Sequence, residues 1–336
     1  MKIFMVGGTG LLGSVGAREL ISRGHEVVTV ALPPLPEGAD IPKEMTIYFG
    51  NILEMKNDTI KEIMLGCEGF VFAAGVDERM EFSPPVYEHL KKYNIDPVKR
   101  LLGLCKEVGI KKCVILGSYF SHFAKTLPKL DLYNKHPYIR SRIDQENVAF
   151  SFSNTKMEVM VLELPYIFGV LKGRKPVWQF YIDMFLPAKT VFFPKGGTTM
   201  VTLKQVGQLI AGALEKGKGG RAYPVGWYNK TWRELITIIN KYMGFENKKI
   251  VTIPTFLYKL ATYSMARKYK KRNIEPGLNP VAFVKLMTAN AFIDKEIIGK
   301  ELGVEPDDID KAIGESITYC MEIHNENKKV LEMKGE

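Results

Sequence analysis

The residues best placed to do chemistry lie at the very start of the chain. Gly7-Gly8-Thr9-Gly10-Leu11-Leu12-Gly13 follows the apolar run Lys2–Val6 and opens the helical pattern Leu11–Ser22. Gly7 and Gly10 permit a tight turn and let backbone approach a pyrophosphate, while Gly13 lets the helix pack close to the strand. The free N–H groups and positive dipole end of that helix suit phosphate. Dinucleotide binding is the expectation. The competing phosphate loop ending in Gly-Lys-Ser/Thr is absent, which argues against phosphoryl transfer. His122 and His136 carry imidazoles suited to proton exchange near neutral pH, although a lone loop histidine is usually only solvated or hydrogen-bonded. Cys67, Cys105, Cys113 and Cys320 lack C-x-x-C spacing, and no His/Cys/Asp cluster has metal-ligand spacing. Neither a disulfide framework nor a metal is expected.

The elements that must position these residues alternate in type. Lys2–Val6, Glu26–Ala31, Thr46–Phe49, Gly69–Ala74, Lys112–Leu116 and Glu158–Leu164 read as strands. Leu11–Ser22, Asp58–Leu65, Asn94–Val108 and Arg140–Phe150 read as helices between them. That rhythm predicts an α/β fold, a parallel sheet wrapped by helices. After Leu164 it loosens. Pro165–Gly197 is rich in Pro, Gly and aromatic residues, and Trp178–Leu186 is strongly apolar. Such a segment would wall a pocket for a flat, greasy carbonyl compound, or simply form the core of a cap or a dimer contact. Leu203–Lys216, Thr231–Met243, Phe256–Tyr269 and Pro306–His324 read as helices and Ala222–Val225 as a strand.

With 336 residues, 46% hydrophobic and 25% charged, the chain has ordinary globular composition and room for one large α/β domain or two smaller units. The expected division is 1–165 for the dinucleotide-binding part, 166–324 for a cap with elements returning to the core, and a charged, frayed tail at 325–336. No run approaches the roughly 18–20 apolar residues of a membrane span. The opening MKIFMVGGTGLLG does not read as a secretory signal, because its apolar run is short and glycines follow at once. A reducing cytoplasm fits best. The net charge of +10 suits an anionic cofactor, and nucleic acid is not expected as a partner. Phe256-Leu257-Tyr258-Lys259-Leu260 leads into Arg267-Lys268-Tyr269-Lys270-Lys271-Arg272, so 256–272 is a candidate for weak contact with a membrane surface. A solvated helix end is the plainer alternative.

The glycine spacing resembles the extended branch of the short-chain dehydrogenase/reductase superfamily, which holds nucleotide-sugar epimerases, dehydratases and related reductases. Collinear motifs extend the likeness over roughly residues 1–245. Asn51 in Gly50-Asn51-Ile52 stands where the family usually has an Asp meeting the adenine. Ala73-Ala74-Gly75 resembles the turn beneath the cofactor, and Asn94 the start of the helix that follows it. Pro165-Tyr166-Ile167-Phe168-Gly169 is similar to the segment lining the nicotinamide side, with Pro165 and Ile167 facing the cofactor. The resemblance implies a Rossmann-type doubly wound sheet with a small C-terminal substrate cap, an NAD(P) cofactor, a small-molecule substrate and a helix-mediated homodimer. A ribose 2′-hydroxyl is normally held by an acid at the end of the second strand, and a 2′-phosphate by a nearby arginine. Those positions are Ala31 and Leu32 here. The missing acid tilts the choice slightly to NADP over NAD, with Lys43 or Arg18 as counter-charge.

The family's reaction centre pairs a Tyr with a Lys one helical turn on, helped by a Ser or Thr after the fifth strand. Tyr138 takes the tyrosine's place, Arg142 replaces the lysine, and Ser118 and Tyr119 stand at the hydroxyl pair. Arg142 keeps a permanent charge beside the phenol but is a poor proton relay. The favoured function is NAD(P)-dependent oxidoreduction of the carbonyl/alcohol group of a small apolar or aromatic molecule. The alternatives are a nucleotide-sugar epimerase/dehydratase, with Arg174, Lys175 or Arg221 meeting the second pyrophosphate, and a catalytically silent NAD(P)-binding sensor or scaffold.

Overall fold

Strict alternation along the first strand sets the layering. In Lys2–Val6 (β1), Ile3 and Met5 face one side of the sheet and Phe4 and Val6 the other, each exposed by 2% or less. The computed structural model describes residues 1–326 and 329–331. Of the expected charged tail, residues 327–328 and 332–336 lie outside the described residues.

The chain continues through α1 (Leu11–Ser22), β2 (Glu26–Ala31), β3 (Thr46–Phe49), α2 (Asn57–Met64) and β4 (Gly69–Phe72). Next come α3 (Val86–Leu90) and α4 (Asp96–Val108), then β5 (Lys112–Ser118), α5 (Tyr119–Thr126), α6 (Leu132–Lys135), α7 (Pro137–Ser151) and β6 (Glu158–Leu164). The second half holds β7 (Tyr166–Phe168), α8 (Gln179–Phe185), β8 (Thr190–Pro194), β9 (Gly197–Thr202), α9 (Leu203–Lys216), β10 (Arg221–Pro224) and β11 (Tyr228–Thr231). It closes with α10 (Trp232–Tyr242), β12 (Lys249–Ile253), α11 (Thr255–Lys271), α12 (Pro280–Met287), β13 (Asn290–Ala291), α13 (Glu296–Leu302) and α14 (Ile309–Glu326).

Seven parallel strands form the main sheet in the order β10-β6-β5-β4-β1-β2-β3. This is the parallel α/β sheet expected from the alternation, in the Rossmann-type arrangement that the resemblance implied. One face packs Ile3, Met5 and Val71 against Leu20 of α1 and Leu209 of α9. The other packs Phe4, Phe70 and Phe72 against Ile60 of α2 and Leu101 of α4. The strand order reverses between β1 and β4, so the loops leaving these strands diverge and open a crevice at their C-terminal ends. A separate core outside the main sheet gathers Trp178, Tyr181, Trp232 and Ile313, and a smaller one surrounds Tyr138 with Phe120, Leu286 and Ile293.

The structure corrects several boundaries. Asn94 does not open a helix. The helix begins at Val86 and runs to Val108 through a widened π turn at Lys91–Ile95. Asn94 lies fully buried inside that turn, where its amide bonds the backbone of Val76 rather than capping a helix. The segment 119–126 is a helix begun by Ser118, whose hydroxyl accepts the Phe120 N–H. β9 escaped the sequence reading, yet all six of its residues are buried. Thr202 and Gln205 form a capping box that starts α9, and Thr231 and Glu234 do the same for α10.

Candidate functional site

The glycine turn sits at the sheet's crevice and is cramped. Gly7 has φ 88°, and a Cβ there would lie 2.5 Å from the Ala73 carbonyl oxygen. A Cβ on Gly13 would collide with the Gly7 carbonyl oxygen and lie 2.8 Å from Gly8 Cα. The Gly10 N–H donates to the Gly7 oxygen at 2.9 Å, and no side chain caps α1, whose first residues are Leu11 and Leu12. Thr9 is buried beneath the turn. A further support escaped the sequence reading: Gly8 N–H donates to Thr29 Oγ1 at 3.1 Å, and Thr29 in turn donates to the Met5 carbonyl at 2.8 Å. An uncapped helix N-terminus beside a cradle that any Cβ would fill fits a diphosphate.

Along the adenine side, Ala31 ends β2 and its carbonyl accepts Gly50 N–H at 3.0 Å. Leu32, next in line, is exposed. The Asn51 carboxamide oxygen accepts Leu53 N–H at 3.1 Å, so it shapes its own loop, and Arg100 holds the Ile52 carbonyl at 3.0 Å. Arg18 is paired with Asp40 at 2.8 Å, which weakens it as a counter-charge for a 2′-phosphate. Toward the other end, Ala73 N–H bonds the Val6 carbonyl at 2.9 Å, so Ala73, Ala74 and Gly75 leave the sheet directly beside the glycine turn. Gly75 has φ 122°, and a Cβ would lie 2.5 Å from Asn94 Oδ1. Asn94 therefore acts on this turn from behind: its amide oxygen accepts Val76 N–H at 2.9 Å and its amide nitrogen donates to the Val76 carbonyl at 3.0 Å. Pro165 and Ile167 flank the step from β6 into β7, and the Ile167 carbonyl accepts Trp178 Nε1–H at 3.0 Å.

Ser118, Tyr138 and Arg142 converge past the end of β5. Ser118, the last residue of β5, is near enough to Tyr138 for its hydroxyl to favour the phenolate. Arg142 is buried, donates from Nη2 to the Leu116 carbonyl at 2.5 Å, and sits 5.9 Å from the Tyr138 ring centre. Its Nε is buried without a partner, as an arginine awaiting a ligand oxygen would be. Burial pushes the Tyr138 phenol up, against the downward pull of Arg142 and Ser118. Tyr138 is clamped from above as well. Its N–H donates to the Gly277 carbonyl at 2.9 Å, and Gly277 lies so close that a Cβ would be 3.1 Å from that of Tyr138. Tyr119 turns elsewhere: its hydroxyl is buried against Thr198 Oγ1 at 3.1 Å, leaving Ser118 as the hydroxyl beside the phenol.

Asp77-Glu78-Arg79, directly after the Ala-Ala-Gly turn, was not singled out from sequence. Burial and then the neighbouring Asp77 raise the Glu78 carboxyl, and Glu78 in turn raises the Tyr138 phenol. Arg79 pairs with Asp77 and reaches the Val177 carbonyl at 2.9 Å, tying this loop to the cap. Three consecutive charges after a wholly buried strand were the available signal. His136 is fully buried, accepts Asn279 N–H at Nδ1 (3.1 Å), and burial lowers it to about 4. Burial thus favours its neutral form.

Beside this centre, Lys125 bridges two buried carboxylates, Glu163 at 2.7 Å and Glu146 at 3.0 Å. One cation cannot answer both, and burial followed by the Glu146 charge raises Glu163 to about 8. The folded state thus holds a proton that the unfolded chain releases near 4.5. The contribution of Glu163 to stability is therefore fully present below 4.5 and lost as pH rises through about 8. Buried His136 acts in the opposite sense up to 6.5, so the downward slope in melting temperature should show between 6.5 and about 8, and Glu163→Gln should flatten it.

A family model described as the NAD dependent epimerase/dehydratase family matches residues 3–201. A sterol-4-alpha-carboxylate 3-dehydrogenase (decarboxylating) from Dictyostelium discoideum is 22% identical over 296 residues, covering 82% of this chain and 86% of the relative. Among solved structures, that of gox2253 superimposes with a TM-score of 0.73 at 20% identity, covering 98% of this chain and 99% of that one. The UDP-glucuronic acid 4-epimerase of Bacillus cereus, in complex with UDP-glucuronic acid and NAD, gives 0.67 at 14% identity over 96% and 100%. The matched span takes in the glycine turn, the Ala-Ala-Gly turn, the Ser118–Tyr138–Arg142 centre and the strands that carry them. The chain belongs to the NAD dependent epimerase/dehydratase family.

Proposed function

We propose that this chain is an NAD(P)-dependent enzyme that oxidises a secondary alcohol of its substrate to a ketone, as the opening step of epimerisation, dehydration or dehydrogenation. The observation carrying this reading is the convergence of Ser118, Tyr138 and Arg142 past β5, on the crevice that also holds the glycine turn. Gly7, Gly10 and Gly13 would hold the diphosphate, and a bound nicotinamide supplies the carbon that takes the hydride. Tyr138, as the phenolate that Arg142 favours, would accept the hydroxyl proton as the carbinol is oxidised, and its phenol would return that proton to the carbonyl oxygen in the reverse direction. Ser118 orients that oxygen. Arg142 offsets charge on the phenol, which burial otherwise disfavours. The Gly277 carbonyl holds the Tyr138 amide and so fixes the start of α7.

The family and the solved structures support an epimerase or dehydratase acting on a sugar nucleotide more strongly than net reduction of an apolar carbonyl. Of the cations considered for a second diphosphate, Arg221 is engaged by Glu301 at 2.5 and 3.0 Å, whereas Arg174 has a buried Nε without a partner. A second reading, an apolar alcohol, is favoured by a cleft of about 260 Å³ beginning at Glu78 and Arg79 and walled by Tyr258, Met265, Leu278 and Phe283. The sterol-acting relative points the same way.

Incubating the protein with NAD or NADP and either UDP-sugars or a hydroxysteroid separates these readings. A sugar epimer or dehydration product without net change in the reduced-nicotinamide absorbance is the expected result. Net cofactor reduction with the hydroxysteroid alone would move the assignment to the apolar reading. Binding of cofactor with no turnover of any substrate would return it to a silent sensor.

A further inference from the structure

α11 is packed on one side only. Tyr258, Thr262 and Tyr269 line the cleft beside Glu78, and Thr262 is the sole buried residue of this 17-residue helix. On the outward side Phe256, Leu257, Leu260 and Tyr263 stand 65%, 45%, 61% and 47% exposed. Their three- and four-residue spacings gather them on one face. A helix apolar on two sides is ordinarily covered on both, and among the described residues nothing covers the second side of this one. Met184 of α8 and Phe192 of β8 are exposed as well, and β8 adjoins α11.

Charge is segregated along the same helix. From Thr255 to Ile274 there is no Asp or Glu, while Arg267, Lys268, Lys270, Lys271 and Arg272 crowd the C-terminal end. Arg272 pairs with Glu81 at 2.6 Å. Arg267, Lys268, Lys270 and Lys271 are exposed, and among the described residues no carboxylate lies within ion-pair distance of them. Cations do favour a helix C-terminus, but that leaves the apolar half unexplained.

We propose that this face docks on an anionic lipid surface, with Phe256, Leu257 and Leu260 entering the headgroup–acyl boundary and the basic end resting on the headgroups. Nucleic acid would answer the cations and leave the apolar half wet. A second copy would crowd two basic ends onto one interface with no acid on either helix. A lipid surface meets both halves at once. It is contact and not a span, since no helix among the described residues is long and apolar enough to cross a membrane. Docking would also bring the cleft, whose roof is the inner side of α11, against the lipid.

The test needs no turnover, so it stands apart from the reading of the reaction. The full chain is floated with vesicles of phosphatidylcholine alone or with about a third phosphatidylserine, at low and high salt. Binding should require the anionic lipid and weaken with salt. Leu257→Ser/Leu260→Ser and Arg267→Glu/Lys268→Glu/Lys271→Glu, which alter only exposed positions, should retain the wild-type melting temperature. The charge variant should lose about a hundredfold in partitioning, and the leucine variant should also bind less. Failure of the wild type to bind anionic vesicles, or binding by both variants equal to wild type, would overturn the proposal. So would a dimer abolished by the leucine variant without lipid, which assigns the face to a second copy, or duplex DNA binding sensitive to the charge variant alone.

Discussion

Gly13→Ala is expected to raise the dissociation constant for NAD(P) by about a hundredfold or more and to lower stability by about 1–3 kcal/mol. The added methyl would strike the Gly7 carbonyl and the Gly8 backbone, neither of which can yield without deforming the phosphate turn. Overpacking of this kind acts on the ligand site and the fold together. Gly103→Ala is the matched control. That glycine lies within α4 with nothing within 4 Å of the position its Cβ would take. It should gain about 0.5–1 kcal/mol from helix propensity and leave cofactor affinity unchanged. Calorimetric titration and thermal denaturation of the pair provide the comparison. Equal cofactor affinity in the two variants would remove the turn from the binding site.

Tyr138→Phe should reduce turnover by about 10²–10⁴-fold while cofactor affinity stays at the wild-type level. The ring keeps its edge contact with Phe120 and its place under Arg142, so the fold has little reason to change. Only the proton donor next to Ser118 is lost. A rate within a few-fold of wild type would dismiss Tyr138 as the acid–base group. Arg142→Met gives a second view of the same centre. Removing the cation leaves burial, Glu78 and Asp77 to raise the phenol unopposed except by Ser118. The acid limb of the oxidation-direction pH profile should therefore move to higher pH.

Elements whose pattern is local were readable in the amino-acid sequence. β1 alternates into two cores, Gly69–Phe72 is apolar because both its faces are covered, and Gly13 is confined to glycine by the nearby Gly7 and Gly8 backbone. What escaped depended on distant partners. Asn94 reads as a helix opener until Val76 is seen to occupy its amide, and Tyr119 reads as a candidate helper until Thr198 is found at its hydroxyl. β9 was not read as a strand, since three neighbouring strands from elsewhere in the chain complete it. Glu78 carried no motif, and its importance comes from the fold setting it against Tyr138.

The Gly277 carbonyl that takes the Tyr138 amide hydrogen belongs to the stretch between α11 and α12, more than a hundred residues downstream of the phenol. A truncated chain ending after β6 would keep the glycine turn, Ser118, Tyr138 and Arg142, yet leave the phenol unmoored on one flank. On the proposed reading, the placing of Tyr138 thus depends on the closed tertiary assembly, through a segment that carries no recognisable signature of its own.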